Sequence, residues 1–196
     1  MAPKLIEKLP EKVADAAYRE FAACSYEQTS VERIAEMVGV TKGALYYYFD
    51  SKLAVLEAAC DYAFGRFHVG VQRALQGLTT PIDRLVALVR FSVESCLEDA
   101  ENRAFSAEIW ALSRQFPTVE RRWQEFYQAV FAMFQQEIVA AQELGAFQGR
   151  DPDEMTHNLL GFYDGIKLQF LLGTRPLISA QALVAQILDL FVYPRL

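Results

Sequence analysis

The sequence has few of the side chains that bind metals or form disulfides. It contains two histidines, His68 and His157, and three cysteines, Cys24, Cys60 and Cys96, among 196 residues. Neither set has the close spacing of metal ligands, so we expect no metal site. Three widely separated cysteines are typical of core residues in a reducing cytoplasm, and a redox-sensing pair is the alternative.

The sequence also lacks the short motifs of common enzyme classes. It has no glycine-rich phosphate loop, no nucleophile-elbow sequence and no metal-type histidine cluster. We therefore assign no catalytic residues and no cofactor, and we expect a protein that is not an enzyme. A scattered active site of acidic side chains on an all-α fold is the alternative.

Long apolar runs are missing as well. The longest, from Leu159 to Leu172, is interrupted by Asp164 and Lys167 and is too short to cross a bilayer. Residues 1–13 contain no apolar core of signal-peptide length. We therefore expect a soluble, cytoplasmic protein with no membrane partner.

Positive charge is not in excess. The net charge is −6, and residues 1–52 contain 7 Lys and Arg against 8 Asp and Glu. This balance argues against indiscriminate binding to nucleic acid or to anionic membranes. It does not exclude sequence-specific binding, because a recognition helix needs only a few well-placed cations and amides on phosphates.

A segment from Thr29 to Lys52 has the pattern of two short helices joined by a glycine turn. Thr29 and Glu32 have the spacing of a capping box at a helix start. The apolar residues that follow recur at helical spacing, and Gly39 stands where a helix can end in the left-handed conformation. These apolar residues are Val31, Ile34, Ala35 and Val38.

The second predicted helix begins after Thr41, which can cap it. Leu45 and Phe49 lie on one face at i, i+4 spacing, which predicts that they point inward. The residues left facing outward are Lys42, Gly43, Ala44, Tyr46 and Tyr47. A helix, a glycine turn and a second helix with a basic, aromatic outer face indicate a helix-turn-helix, which places a recognition helix in the major groove. The alternative is that the aromatic residues form only a core edge, but four consecutive aromatics cannot all point inward.

This segment resembles the DNA-binding domain of the TetR-type bacterial regulators over the first quarter of the chain. The family pattern is matched by Ile34-Ala35, Gly39-Val40, Thr41, Lys42, Gly43, Leu45, Tyr46-Tyr47, Phe49 and Ser51-Lys52. One departure lies upstream, where the family commonly has a glycine and this chain has Cys24-Ser25-Tyr26. The departure leaves the geometry of the first loop open.

The resemblance implies a set of DNA contacts. Gly43 would let the backbone approach base edges, and Ala44 and Tyr47 would touch bases or thymine methyl groups. Tyr48 stands where some relatives carry a histidine that contacts phosphate. Phosphate contacts are implied for Lys42, Tyr46, Tyr47 and Lys52, and at the helix starts for Thr29 and Thr41.

The rest of the chain predicts helices throughout, since no stretch alternates with a period of two. The fold is expected to be all-α with about nine helices. We expect a DNA-binding domain at residues 1–52 and an effector-binding and dimerisation domain at residues 53–196. A long helix beginning after Ser51 would connect the two without a linker.

The larger domain is rich in aromatic residues, and in the resembling family the equivalent helices enclose a small effector. We expect a largely hydrophobic or aromatic effector, because such sites have apolar walls and few polar groups. Ordinary core packing is the alternative for any single residue. The candidate effector-binding residues are Phe67, His68, Phe91, Phe105, Trp110, Tyr127, Phe131, Asn158 and Phe162.

The last two predicted helices carry an apolar stripe with little chain left to bury it. In relatives the corresponding helices form a four-helix bundle with a second copy, so we expect a homodimer on a palindromic operator. Packing of the stripe within its own subunit is the alternative. The predicted interface residues are Leu159, Tyr163, Ile166, Phe170, Leu183, Ile187, Leu190 and Phe191. An all-α carrier or interaction module that has lost DNA binding is the competing class, and repression is not distinguished from activation.

Overall fold

A computed structural model describes residues 8–174 and 178–192. Over these ranges it has nine α-helices and no β-strand, which confirms the predicted all-α class and helix count. A π-helical turn, Leu188–Val192, follows the last helix. The helices are α1 Leu9–Gln28, α2 Val31–Val38, α3 Lys42–Tyr46, α4 Lys52–Ala74, α5 Pro81–Glu98, α6 Ala100–Ser113, α7 Pro117–Glu143, α8 Pro152–Leu171 and α9 Ala180–Ile187.

Side-chain caps set most of the helix starts. The hydroxyl of Thr80 accepts a hydrogen bond from the amide of Asp83 at 3.2 Å, at the start of α5. Asp151 and Ser179 cap α8 and α9 in the same way. These caps satisfy amides that have no partner inside the helix. Pro81 and Pro152 follow their caps in the first turn of α5 and α8, where a proline removes no helical hydrogen bond.

The first helix contains one non-helical residue near its end. Ser25 has φ 62° and ψ 165°, so the regular part of α1 stops at Cys24, and one short turn follows. Positive φ is costly for a residue with a side chain. The loop at which this sequence departs from the glycine of the family that it resembles is therefore a backbone corner.

Contacts divide the chain into two compact units, of which the first is Met1–Phe67 with Ala104–Gln124. Its hydrophobic core joins residues from α1 to α4 with residues of α6 and α7. Tyr18 and Phe105 pack ring to ring in this core, with centroids 4.8 Å apart. Further fully buried members are Val13, Phe21, Ile34, Leu45, Leu56 and Ile109.

The second unit is His68–Arg103 with Glu125–Leu196. Both α8 and α9 pack on α5. Arg84 of α5 donates to the buried carboxylate of Glu137 on α7 at 2.8 Å. Helices α4, α6 and α7 each have residues in both units. Because this division follows packing, it does not test the functional boundary predicted at residue 52, which stays a prediction.

No described helix is both long enough and apolar enough to cross a membrane.

Candidate DNA-binding and effector sites

The start of α2 differs from the predicted capping box. Ser30 is the N-cap, and its hydroxyl accepts from the amide of Arg33 at 3.2 Å. Thr29 is buried, and both its hydroxyl and its amide donate to the carbonyl oxygen of Ser25, at 2.7 and 3.2 Å. The capping role predicted for Thr29 is therefore wrong, because the corner at Ser25 shifts the helix start by one residue. Because both of its donors are used within the chain, its predicted phosphate contact would have to replace one of these hydrogen bonds.

The turn and the start of α3 agree with the sequence. Gly39 has φ 75° and ψ 32°, the left-handed conformation predicted for it. The hydroxyl of Thr41 accepts from the amide of Ala44 at 3.1 Å, so Thr41 caps α3. Leu45 and Phe49 are buried, as their spacing predicts. A helix-turn-helix is therefore present, held to the core by Leu45 within its second helix and by Phe49 just after it.

The outer face of α3 is exposed. Tyr47 is 83% exposed, and Tyr46 and Tyr48 are 38% and 37% exposed. Lys42 and Gly43 are also exposed, and Ala44 is half-buried. An exposed aromatic face of this kind has no role in the core. The predicted outward direction of this face is confirmed, while the individual DNA contacts stay predictions.

Both predicted phosphate-binding lysines already have partners in the protein alone. Lys42 forms an ion pair with Glu32 of α2, and its ammonium lies 5.6 Å from the ring centre of Tyr46. Hydrogen bonding across this ion pair raises the pKa of Lys42 and lowers the pKa of Glu32. The ammonium of Lys52 lies 4.4 Å above the ring of Tyr26. Because exposed ion pairs contribute little stability, phosphate can compete with Glu32 for Lys42.

Three candidate effector residues belong to the first unit. Phe105 is 2% exposed and packs on Tyr18, so the structure gives it the core role that was the alternative prediction. Trp110 is half-buried and meets Trp123 edge to face, with centroids 5.8 Å apart. Phe67 is half-buried. These three residues are therefore spread along α4 and α6.

The other six candidates belong to the second unit, and two of them are surface residues. His68 is exposed and shares a hydrogen bond with Gln72 one turn later, at 3.0 Å. Asn158 is exposed. Because both side chains are exposed, their burial does not support a role in orienting a ligand. The remaining four, all half-buried, are Phe91, Tyr127, Phe131 and Phe162.

A half-buried carboxylate that was not predicted as a site residue, Asp164, lies near Tyr127. Burial raises its pKa, although Lys167 opposes that effect. The pKa of Tyr127 is raised by burial and by the charge of Asp164. In the sequence, Asp164 stands out only as an interruption in the apolar run from Leu159 to Leu172. An acidic residue at the edge of a buried helix face was the signal that could have identified it.

The predicted dimer stripe is mostly buried within its own chain. Leu159, Tyr163, Ile166, Leu183 and Ile187 are at most 5% exposed, because α8 and α9 both pack on α5. The premise that too little chain remains to bury this stripe is therefore wrong.

Two of the other three predicted interface residues are more exposed than those five. Phe170 is half-buried under the guanidinium of Arg103, at 4.1 Å, and Leu190 is 61% exposed. The side chain of Phe191 lies outside the described residues. The exposed apolar side chains nearby are Leu168, Leu171 and Leu172.

Two parts of the chain match known protein families. Residues 13–59 match the tetR family of bacterial regulatory proteins, and residues 81–192 match the C-terminal domain of BetI-type transcriptional repressors. The transcriptional regulator HbdR of Aromatoleum is 30% identical over 83 residues. That match covers 42% of this chain and 36% of HbdR, so the likeness spans only about a third of the relative.

Solved structures with the same fold cover almost the whole chain. A transcriptional regulator from Saccharomonospora viridis in complex with choline has a TM-score of 0.84 and 21% identity, covering 96% of this chain and 97% of its own. The regulator FadR of Bacillus subtilis in complex with stearoyl-CoA has a TM-score of 0.77 and 18% identity, covering 94% and 99%. At these identities the likeness establishes the fold.

Proposed function

Because the chain belongs to the TetR family of bacterial regulatory proteins, we propose that it is a transcriptional regulator that binds an operator through α3 and is released by a small effector. The observation that carries this proposal is the outer face of α3. Tyr47 projects into solvent there, while Leu45 on the opposite side is fully buried. The charged and aromatic side chains of this face can approach phosphates and base edges together.

Selection from random double-stranded DNA tests operator binding. We expect the purified protein to enrich an inverted repeat whose half-sites are about 34 Å apart or a multiple of that distance. A protein with Tyr47→Ala and Lys42→Ala together should enrich no sequence. Failure of the unchanged protein to enrich any sequence would favour the competing class, a carrier or interaction module that no longer recognises DNA.

Two recognition helices require two copies of the chain, so the proposed regulator is a homodimer. Leu168, Leu171, Leu172 and Leu190 are 45–69% exposed, an apolar surface that a second copy could cover. Leu168→Glu should therefore give a monomer in sedimentation velocity and weaken operator binding. Leu144→Glu is the matched control, since Leu144 is 74% exposed at the end of α7. A dimer in both variants would place the interface elsewhere.

The proposed effector has an apolar body. The aromatic candidate residues of the second unit support this, and the structural relatives crystallised with choline and with stearoyl-CoA suggest two chemical classes to test. A panel of choline, stearoyl-CoA and small aromatic compounds should contain a class that raises the melting temperature and releases the operator. A panel that changes neither quantity would contradict an apolar effector.

The proposed release mechanism acts through α4, which runs unbroken from Lys52 to Ala74. An effector that displaces this helix would change the separation of the two recognition helices. A coupling of about 1–3 kcal/mol would weaken DNA binding by about 5- to 150-fold. Because such coupling is reciprocal, operator DNA should weaken effector binding by the same factor. The scheme would be contradicted if the effector weakened DNA binding by one factor and DNA weakened effector binding by a different factor.

A further inference from the structure

The corner between α1 and α2 holds an unfavourable backbone conformation. Ser25, at φ 62° and ψ 165°, occupies a region that is almost restricted to glycine. Its carbonyl oxygen accepts the amide and the hydroxyl of Thr29, so the corner also fixes the chain just before α2. Such a conformation persists only where the surroundings impose it. The contacts that impose it therefore influence the helix-turn-helix.

One of these contacts comes from α6, far away in sequence. The backbone amide of Tyr26 donates to Oε1 of Glu108 at 2.5 Å. A hydrogen bond to a carboxylate is stronger than one between neutral groups. The ring of Tyr26 packs against Phe21 and Phe116, with centroids 5.7 and 5.4 Å away. Tyr26 is thus held through both its backbone and its ring.

The same ring also carries a cation. The ammonium of Lys52 lies 4.4 Å from the ring centre of Tyr26, within the range of a cation–π interaction. Burial and the nearby charge of Glu27 raise the pKa of Tyr26, which keeps the phenol neutral. Lys52 is the first residue of α4 and is one of the predicted phosphate contacts. The ring restricts where this long and flexible side chain can place its charge.

We propose that Tyr26 and Glu108 are positioning residues for DNA binding: Glu108 fixes Tyr26, and the ring of Tyr26 holds Lys52 where it meets a phosphate. A carboxylate on α6, more than fifty residues beyond the helix-turn-helix, thereby contributes to operator affinity. The inference rests on the proposed operator binding. It adds two residues that make no DNA contact themselves.

The test measures operator affinity for four variants, using the DNA enriched from the random pool. Tyr26→Leu retains apolar packing but removes the aromatic face, and it should weaken binding about two- to fivefold, the size of an exposed cation–π interaction. Tyr26→Phe retains the ring and should bind like the unchanged protein. Glu108→Ala should weaken binding to a similar extent as Tyr26→Leu. Glu101→Ala is the control, since Glu101 is an exposed acid on the same helix.

A double-mutant cycle with Lys52→Ala separates positioning from a general structural effect. If Tyr26 acts through Lys52, Tyr26→Leu and Glu108→Ala cause no further loss of affinity once Lys52 is alanine. An equal loss with and without the Lys52 side chain would overturn the proposal. Unchanged affinity for Tyr26→Leu and Glu108→Ala, with operator binding by the unchanged protein, would overturn it while leaving the proposed function intact. If the unchanged protein binds no operator, both this proposal and the proposed function are wrong.

A second measurement needs no DNA. Lysines dimethylated with ¹³C-labelled formaldehyde give separate NMR signals, and Lys52→Ala identifies the signal of Lys52. The ring of Tyr26 should shift that signal upfield, and Glu108→Ala should move it towards the signals of exposed lysines. A Lys52 signal that does not respond to Glu108→Ala would contradict the positioning role, even if Tyr26→Leu fails to fold.

Discussion

The ring of Phe91 on α5 lies against the backbone of Gly70 on α4. A Cβ atom at Gly70 would stand 2.4 Å from Cζ of Phe91, closer than side chains approach in folded proteins. Gly65, five residues earlier on the same helix, would place its Cβ at least 4 Å from every described neighbour. Gly70 therefore makes room for an aromatic ring, whereas Gly65 has no such packing role.

The two glycines should respond in opposite ways to alanine. Gly65→Ala should raise the free energy of unfolding by about 0.5–1 kcal/mol, because alanine is the better helix former. Gly70→Ala should lower it, since overpacking costs about 1–3 kcal/mol and exceeds the helix-propensity gain. Urea unfolding of both variants provides the comparison. Stabilisation by both substitutions would show that Phe91 does not occupy this position.

Ser25→Gly should stabilise the protein. Strain of this kind costs about 1–3 kcal/mol, while glycine loses about 0.5–1 kcal/mol through the flexibility of the unfolded chain. The net gain should therefore be up to about 2.5 kcal/mol. Cys24→Gly, one residue earlier in regular helix, should destabilise the protein, because glycine is the poorer helix former and a half-buried side chain is lost. If calorimetry finds both glycine variants destabilised, the corner at Ser25 is not strained.

Tyr47→Ala should abolish most operator binding without changing the melting temperature, because its side chain is 83% exposed. Leu45→Ala is the contrasting variant, two residues away on the buried face of α3. It should cost about 2–5 kcal/mol of stability, as expected for a truncated core leucine. Thermal unfolding and DNA binding of both variants give the result. A lower melting temperature for Tyr47→Ala would assign Tyr47 to the core.

Asp164→Asn should stabilise the protein in a pH-dependent manner. Burial raises the pKa of Asp164 above its ordinary 3.8, so the folded protein favours the protonated form. The stability contributed by that proton is complete below pH 3.8 and is lost as the pH rises through the raised pKa. The advantage of the asparagine variant should therefore be largest at pH 7 and shrink as the pH falls towards 4. If the melting temperatures of the variant and the unchanged protein differ by the same amount at every pH between 4 and 7, this prediction is wrong.

Local features were predictable from sequence where local chemistry decides them. Thr41 and Gly39 fix helix ends through groups a few residues apart, and the structure confirms both predictions. The same reasoning failed at Thr29, because a corner at Ser25 with no glycine shifts the cap to Ser30.

Features that depend on distant packing could not be predicted in this way. The stripe on α8 and α9 was expected to meet a second copy, but packing on α5 buries most of it. Apolar periodicity identifies the face that is buried but not the element that buries it. Likewise, nothing near Glu108 in the sequence indicates its hydrogen bond to Tyr26.

The most direct test of the account is a titration of the DNA that flanks the protein's own coding region. Fluorescence anisotropy at near-physiological salt, with excess competitor DNA, measures specific binding. The account predicts saturable binding with a Kd of about 10⁻⁸ M or tighter, two chains per site, and a salt dependence that becomes shallower by about one unit in Lys42→Ala. Binding that competitor DNA removes completely, with no change in salt dependence for Lys42→Ala, would contradict operator recognition by α3 at this DNA.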